Sequence, residues 1–206
     1  MKTTLLMTAA AIAALSLAAC QKKADGTADM TNPVGQSAPV NAAQDATSAA
    51  VGAVSASTVG ANSTEAFVDG AAVSDMYEVR AGQMAQQKAH SPDVKAFAKM
   101  MVTDHTAMMN MMKPMAMSAG KTPPAELDQR RKGLLDNLAA ASTDDFDHVY
   151  LEQQDAAHGE ALRLMNGYAE HGDDAALKAA AVKAIPKVQA HLDRVHKLQA
   201  AMATAK

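Results

Sequence analysis

The chain lacks tryptophan and has a single cysteine among its 206 residues. One cysteine cannot form an intramolecular disulfide framework, so the fold must depend on the burial of apolar side chains. The net charge of -3 and the absence of a basic patch with interleaved aromatic residues argue against nucleic-acid binding. The sequence also lacks the metalloprotease His-Glu-x-x-His, the nucleophile elbow and the dinucleotide-binding fingerprint. We therefore expect a non-enzymatic protein with no nucleic-acid partner.

Residues 1–19 have the layout of a secretory signal peptide. Lys2 precedes a mostly apolar run from Leu5 to Leu17, which is shorter than the about 20 residues of a membrane-spanning helix. The run ends in Leu17-Ala18-Ala19-Cys20, which resembles a bacterial lipobox. That resemblance implies cleavage before Cys20, acylation of Cys20 with chains such as palmitate, and a lipid anchor in a membrane of the cell envelope. Because Gln21 is not the aspartate that retains lipoproteins in the inner membrane, we expect the outer membrane, with the protein facing the periplasm.

Residues 20–62 are predicted to be the lipidated cysteine followed by a disordered tether. From Gln21 to Asn62 the chain consists mainly of Ala, Ser, Thr, Gly, Asn and Pro, with no aromatic residue. Such a segment buries too little apolar area to offset the entropy lost on ordering. The folded domain is therefore expected over residues 63–206.

The domain shows helical hydrophobic periodicity throughout and no alternating, strand-like run. The periodicity and capping residues predict helices at about 64–88, 92–117, 125–141, 144–170 and 174–202. The two pairs of long helices form two hairpins, and the short helix lies in the crossover between them. One long crossover is typical of a ferritin-like four-helix bundle. We therefore expect an all-α, ferritin-like bundle with a short extra helix, and an up-down bundle of five helices is the alternative.

Short groups of residues also occur in a characteristic order along residues 64–202. They are Tyr77-Glu78-Val79, Phe97-Ala98, Met101-Val102, Asp104-His105, Phe146-Asp147, Tyr150, His158, Pro186 and His191. This order resembles the exported bacterial family catalogued as domain of unknown function 4142. The resemblance implies a ferritin-like fold in an envelope protein, and it implies no established activity.

Five polar residues lie on or beside the core faces of the long helices: Glu78, Asp104, His105, His158 and His191. They depart from the ferritin pattern of glutamates and Glu-x-x-His pairs that bind two metal ions. Hairpin arithmetic places Glu78 nearly level with Asp104 and His105, and it separates His158 from His191 by roughly 7.5 Å along the axis. The cluster is interpreted either as buried structural pairs, as a site for iron or another divalent metal, or as an acid-base pair.

Methionine offers a different metal chemistry. Eight of the 15 methionines lie between Met100 and Met117. His105, Met108, Met109 and Met112 share one helical surface, and imidazole with thioethers suits a soft ion such as Cu(I) or Ag(I). Core packing explains much of the same pattern, because methionine fills irregular gaps.

Three functions remain open from the sequence. The first is a membrane-anchored, non-enzymatic envelope lipoprotein, with a metal or small-ligand site in the bundle and a role in envelope stress. The second is a ferritin-type, metal-dependent redox protein. The third is a soft-metal binder, and the sequence identifies no protein partner for any of them.

Cys20→Ser should release the full-length protein from the membrane fraction, because the thioether-linked acyl chains would have no attachment site. Fractionation of cells and labelling with a fatty-acid analogue measure this directly. Continued membrane retention of the variant would contradict the lipid anchor.

Overall fold

A computed structural model describes residues 37–204 of the chain, and these residues form six α-helices and no strand. The helices are α1 (Ala38–Thr58), α2 (Thr64–Lys88), α3 (Pro92–Ser118), α4 (Gln129–Ala140), α5 (Phe146–His171) and α6 (Ala175–Thr204). The all-α fold is therefore confirmed. The signal peptide at residues 1–19, Cys20 and the first part of the predicted tether lie outside the described residues.

Local sequence explains where the long helices begin. The side chains of Ser63 and Ser91 accept hydrogen bonds from the backbone N–H groups of the first turns of α2 and α3, and Pro92 occupies the first position of α3. Pro114 and Pro186 both lie inside helices, and each helix continues beyond its proline. α5 begins at Phe146 rather than at the predicted 144, with Asp145 at its cap position.

Four long helices surround one interior. The chain forms an α2–α3 hairpin and an α5–α6 hairpin, while α2 also packs on α5 and α3 on α6. Phe67 stacks on Tyr168 near one end of the α2–α5 pair, and Tyr77 donates a hydrogen bond to Gln153 further along. These contacts show that α2 and α5 run antiparallel. α4 lies in the connection between the two hairpins and contacts α1, α2 and α5.

The interior contains two apolar clusters rather than one. The first includes Tyr77, Phe97 and Tyr150. The second includes Phe67 and Tyr168. His105, His158 and His191 lie along α3, α5 and α6 between the residues of the two clusters, and Asp75 lies near the boundary between the clusters on α2. The fold thus presents a polar layer with apolar packing on both sides.

The structure contradicts the predicted tether over residues 38–58, which form α1. This helix packs on α4 and α5, and Asp45 accepts hydrogen bonds from Asn137 and Gln153, each at 2.6 Å. Gly52 lies so close to α5 that an added Cβ would be 2.0 Å from a Glu160 oxygen. The composition of this segment wrongly indicated disorder. Alanine favours helix formation, and small residues let helices approach closely without large apolar side chains.

Among the helices within residues 37–204, none combines the length and apolar character required to cross a bilayer.

A chain beginning at residue 63 should be less stable than one beginning at residue 37. Removing α1 leaves buried Asn137 and Gln153 without Asp45, and each lost hydrogen bond contributes about 0.5 to 1.5 kcal/mol. With the lost packing, we expect a decrease of roughly 2 to 4 kcal/mol in the free energy of unfolding, measured in urea. Equal stability of the two chains would contradict a structural role for α1.

Candidate metal centre

Three histidines from three helices meet in the polar layer. His105 of α3, His158 of α5 and His191 of α6 each provide a ring nitrogen, and these nitrogens lie within 4.8 Å of one another. The ring centroids are 5.4 to 5.7 Å apart. Each residue is only 1 to 2% exposed. We call these residues the histidine trio.

One nitrogen of each ring in the trio has a hydrogen-bond partner at 2.8 Å. His105 Nδ1 bonds Asp75, His158 Nδ1 donates to the backbone carbonyl of Gln154, and His191 Nε2 bonds Asp104. In neutral imidazole the nitrogen that donates carries the hydrogen, and the opposite nitrogen carries a lone pair. Carboxylate and carbonyl acceptors therefore orient the rings as they do the histidine ligands of metal sites.

The opposite nitrogens have no partner. His105 Nε2, His158 Nε2 and His191 Nδ1 are buried side-chain atoms without a hydrogen bond within the described part of the chain. Buried polar atoms are usually satisfied, because burial without a partner carries a free-energy penalty. Three such nitrogens in one place indicate a site for a ligand that accepts lone pairs.

The spacing of the trio suits one metal ion after a small contraction. Three nitrogens within 4.8 Å of one another lie no more than about 2.8 Å from a common point, whereas Zn–N bonds are about 2.0 to 2.1 Å. Each ring would need to move by less than about 1 Å, which side-chain rotation can supply. The arrangement can therefore hold a single ion between three helices.

Burial keeps His158 neutral. It lowers the pKa of His158 to about 3, and the positive charge of His105 and His191 when protonated acts in the same direction. Burial also tends to lower the pKa of His105, but the hydrogen bond that His105 donates to Asp75 and the negative charges of Glu78 and Asp75 outweigh burial, so the pKa of His105 is raised. A metal would have to displace any proton on His105 Nε2, so binding should weaken in acid.

Asp75 is the site residue that the sequence analysis missed. It lies on α2, is 4% exposed, and faces His105 directly across the first hairpin. The predicted core face of α2 carries Glu78 and does not include Asp75. The helix packs against α3, α4 and α5, so it buries more of its surface than one stripe.

Glu78 is buried as predicted, but the prediction that it pairs with Asp104 or His105 is wrong. Its Oε2 accepts a hydrogen bond of 2.6 Å from Gln154 Nε2, and its Oε1 lies 3.8 Å from His158 Nδ1. Because His158 is neutral, that contact is not an ion pair. Burial raises the pKa of Glu78 to about 7, although His105 and Gln154 oppose this shift.

The expected separation of His158 and His191 is also wrong. The second hairpin brings their ring centroids to 5.4 Å. Asp155 contacts His196, and the Leu151 carbonyl accepts from Gln199, so the hairpin is symmetric about a point near residue 175. The predicted separation assumed a turn centred about three residues earlier, and this shifts the position opposite His158 by about six residues, or roughly 9 Å along the axis.

The methionines of the soft-metal hypothesis pack in different places. Met112 belongs to the second apolar cluster, whereas Met109 packs against the first, and Met108 is half-buried. The free nitrogen of His105 belongs to the trio. Soft-metal binding by His105, Met108, Met109 and Met112 stays a prediction.

Comparison with known proteins identifies a family for this chain but no activity. A model of the family described as "Domain of unknown function (DUF4142)" matches residues 48–198. The matched span includes the whole trio and begins inside α1. No curated protein and no solved structure gave a match.

Glu78→Gln should change the pH dependence of the stability of the metal-free protein. The pKa of Glu78 rises from 4.5 in the unfolded chain to about 7 in the fold, so its favourable contribution is complete below pH 4.5 and is lost as the pH rises through 7. Glutamine retains an oxygen for Gln154 and does not ionise. The free energy of unfolding of the variant, relative to that of the wild type, should therefore increase with pH by up to about 3 kcal/mol.

Urea unfolding at pH 4.5, 6 and 8 in the presence of a chelator measures this difference. The matched control is Glu126→Gln, because the side chain of Glu126 is exposed. Parallel stability curves for Glu78→Gln and the wild type would show that burial does not shift the pKa of Glu78.

Proposed function

The chain belongs to the family described as a domain of unknown function (DUF4142), and we propose that its helical domain binds one transition-metal ion at His105, His158 and His191. The observation that carries this proposal is a group of three buried imidazole rings, each with one unpartnered nitrogen, whose ring nitrogens come within 4.8 Å of one another. Each ring is held from its far edge by an acceptor at 2.8 Å. A purely structural histidine cluster would have no need to leave all three inner nitrogens unpaired.

The ligand chemistry narrows the choice of ion. Imidazole nitrogens suit zinc, iron, copper and nickel, whereas magnesium and calcium prefer oxygen ligands. Three histidines with one open position form a known zinc arrangement, in which a small molecule such as water occupies the fourth position. We therefore propose a divalent first-row metal, with iron among the candidates, and use Zn²⁺ as the test ion.

The burial of the trio supports binding rather than turnover. With the three side chains only 1 to 3% exposed, a substrate larger than water would need the helices to separate. The metal would join three helices and stabilise the folded state, because a ligand that binds only the folded form shifts the unfolding equilibrium. We propose a non-enzymatic metal-binding domain on this ground.

A ferritin-type redox protein is the second candidate, because two buried carboxylates from α2, Asp75 and Glu78, lie beside the trio. A two-ion centre needs carboxylates that reach the ions. Asp75 instead bonds the far edge of His105, and Glu78 accepts from Gln154. These contacts favour one ion per chain over two.

The cellular setting is proposed from the sequence. The lipobox-like segment ending at Cys20 supports a lipid anchor, and Gln21 supports the outer membrane facing the periplasm. Residues 21–37 would connect the anchor to α1. In this setting the domain would hold metal in the cell envelope, and a role in envelope stress is consistent with that.

Zn²⁺ should bind the metal-free protein at one ion per chain and raise its melting temperature. At a free zinc concentration of 100 times Kd the expected stabilisation is about 2.7 kcal/mol. His191→Gln should remove both effects, whereas His196→Gln should retain them. His196 is a matched control on the same helix, because it is exposed and pairs with Asp155 on the surface.

Isothermal titration, elemental analysis and thermal melts give these quantities, and circular dichroism checks that each variant folds. Two irons per chain after loading would favour the ferritin-type candidate. No zinc binding by the wild type, or equal binding by His191→Gln, would refute the histidine site.

A further inference from the structure

The three histidines differ in how well their outer partners are shielded from solvent. The side chain of Asp75, behind His105, is 6% exposed, and Gln154, whose carbonyl holds His158, is 0% exposed. The side chain of Asp104, behind His191, is 22% exposed. The trio is therefore closest to solvent on the side of α3 and α6 where Asp104 lies.

A chain of contacts runs from the surface to the trio on that side. The Lys187 ammonium lies 2.9 Å from Asp104 Oδ1, and Asp104 Oδ2 lies 2.8 Å from His191 Nε2. The opposite nitrogen of the same ring, Nδ1, is buried and unpartnered. His191 thus separates a partly exposed carboxylate from the interior of the site.

We propose that metal ions reach the trio past Asp104 and that Lys187 slows this access, an inference that rests on the proposed metal site. Asp104 is an anionic group at the surface end of the route, and an incoming dication competes with the Lys187 ammonium for it. The ion then passes to the trio when the His191 ring turns away from Asp104. Pro186 precedes His191 in α6 and lacks a backbone N–H. The helix that carries the moving His191 ring is therefore missing one hydrogen bond.

Electrostatic interactions determine whether each substitution should speed or slow the loading of metal. A dication is attracted by the carboxylate of Asp104 and repelled by Lys187, and such interactions act over about 30 Å at 10 mM ionic strength. Lys187→Met should therefore accelerate loading, and Asp104→Asn should slow it. Both effects should shrink in 1 M salt, where the screening length is about 3 Å.

The test follows the loading of Co²⁺ into the metal-free, otherwise unaltered chain by stopped-flow absorption of the bound ion. At 10 mM ionic strength we expect Lys187→Met to load about three to ten times faster than the wild type and Asp104→Asn to load slower by a similar factor. The final stoichiometry of Lys187→Met should be unchanged. Lys121→Met is the matched control, because exposed Lys121 pairs with Glu65 at 2.9 Å, as Lys187 pairs with Asp104.

Each outcome has a definite meaning. Wild-type rates in both Lys187→Met and Asp104→Asn, faster loading of Asp104→Asn, or an equal effect of Lys121→Met would overturn the access route while leaving the metal site intact. If Asp104→Asn fails to fold, the rate of Lys187→Met relative to Lys121→Met decides alone. Failure of the wild type to take up Co²⁺ would refute the metal site and the route together.

Discussion

Three buried histidines, each with one unpartnered ring nitrogen, meet in the middle of this bundle, and the surrounding packing must offset the cost of burying those nitrogens. A buried polar atom without a partner destabilises a fold by about 1 to 3 kcal/mol. The domain carries three such atoms in one layer and places an apolar cluster on either side of it. These clusters, with α1 packed outside, offset the free-energy cost of burying the three unpartnered nitrogens.

Each ring in the layer is held by a different kind of acceptor. Asp75 comes from a neighbouring helix, the carbonyl of Gln154 from the same helix, and Asp104 from a helix that also carries His105. The three supports differ in their contact with solvent, from the fully buried carbonyl to the partly exposed carboxylate. The proposed access route uses this difference, because it passes His191, whose partner is the most exposed of the three.

Hydrophobic periodicity and capping residues predicted α2 to α6, because amphipathic helices of this length leave a strong repeat in the sequence. They failed for α1, whose small residues pack through close approach and hydrogen bonds rather than through large apolar side chains. The histidines were predicted as candidates from their core-facing positions. Their meeting point was not predicted, because it depends on the register of the second hairpin. The Asp155–His196 contact shows this register, and hydrophobic periodicity does not encode it.

X-ray absorption at the metal edge of the zinc-loaded protein tests the histidine site most directly. The structure predicts one zinc per chain, with three imidazole ligands at about 2.0 to 2.1 Å and one light fourth ligand. A shell with sulfur scatterers, a shell of oxygen ligands only, or a second metal at about 3.5 to 4 Å would contradict it.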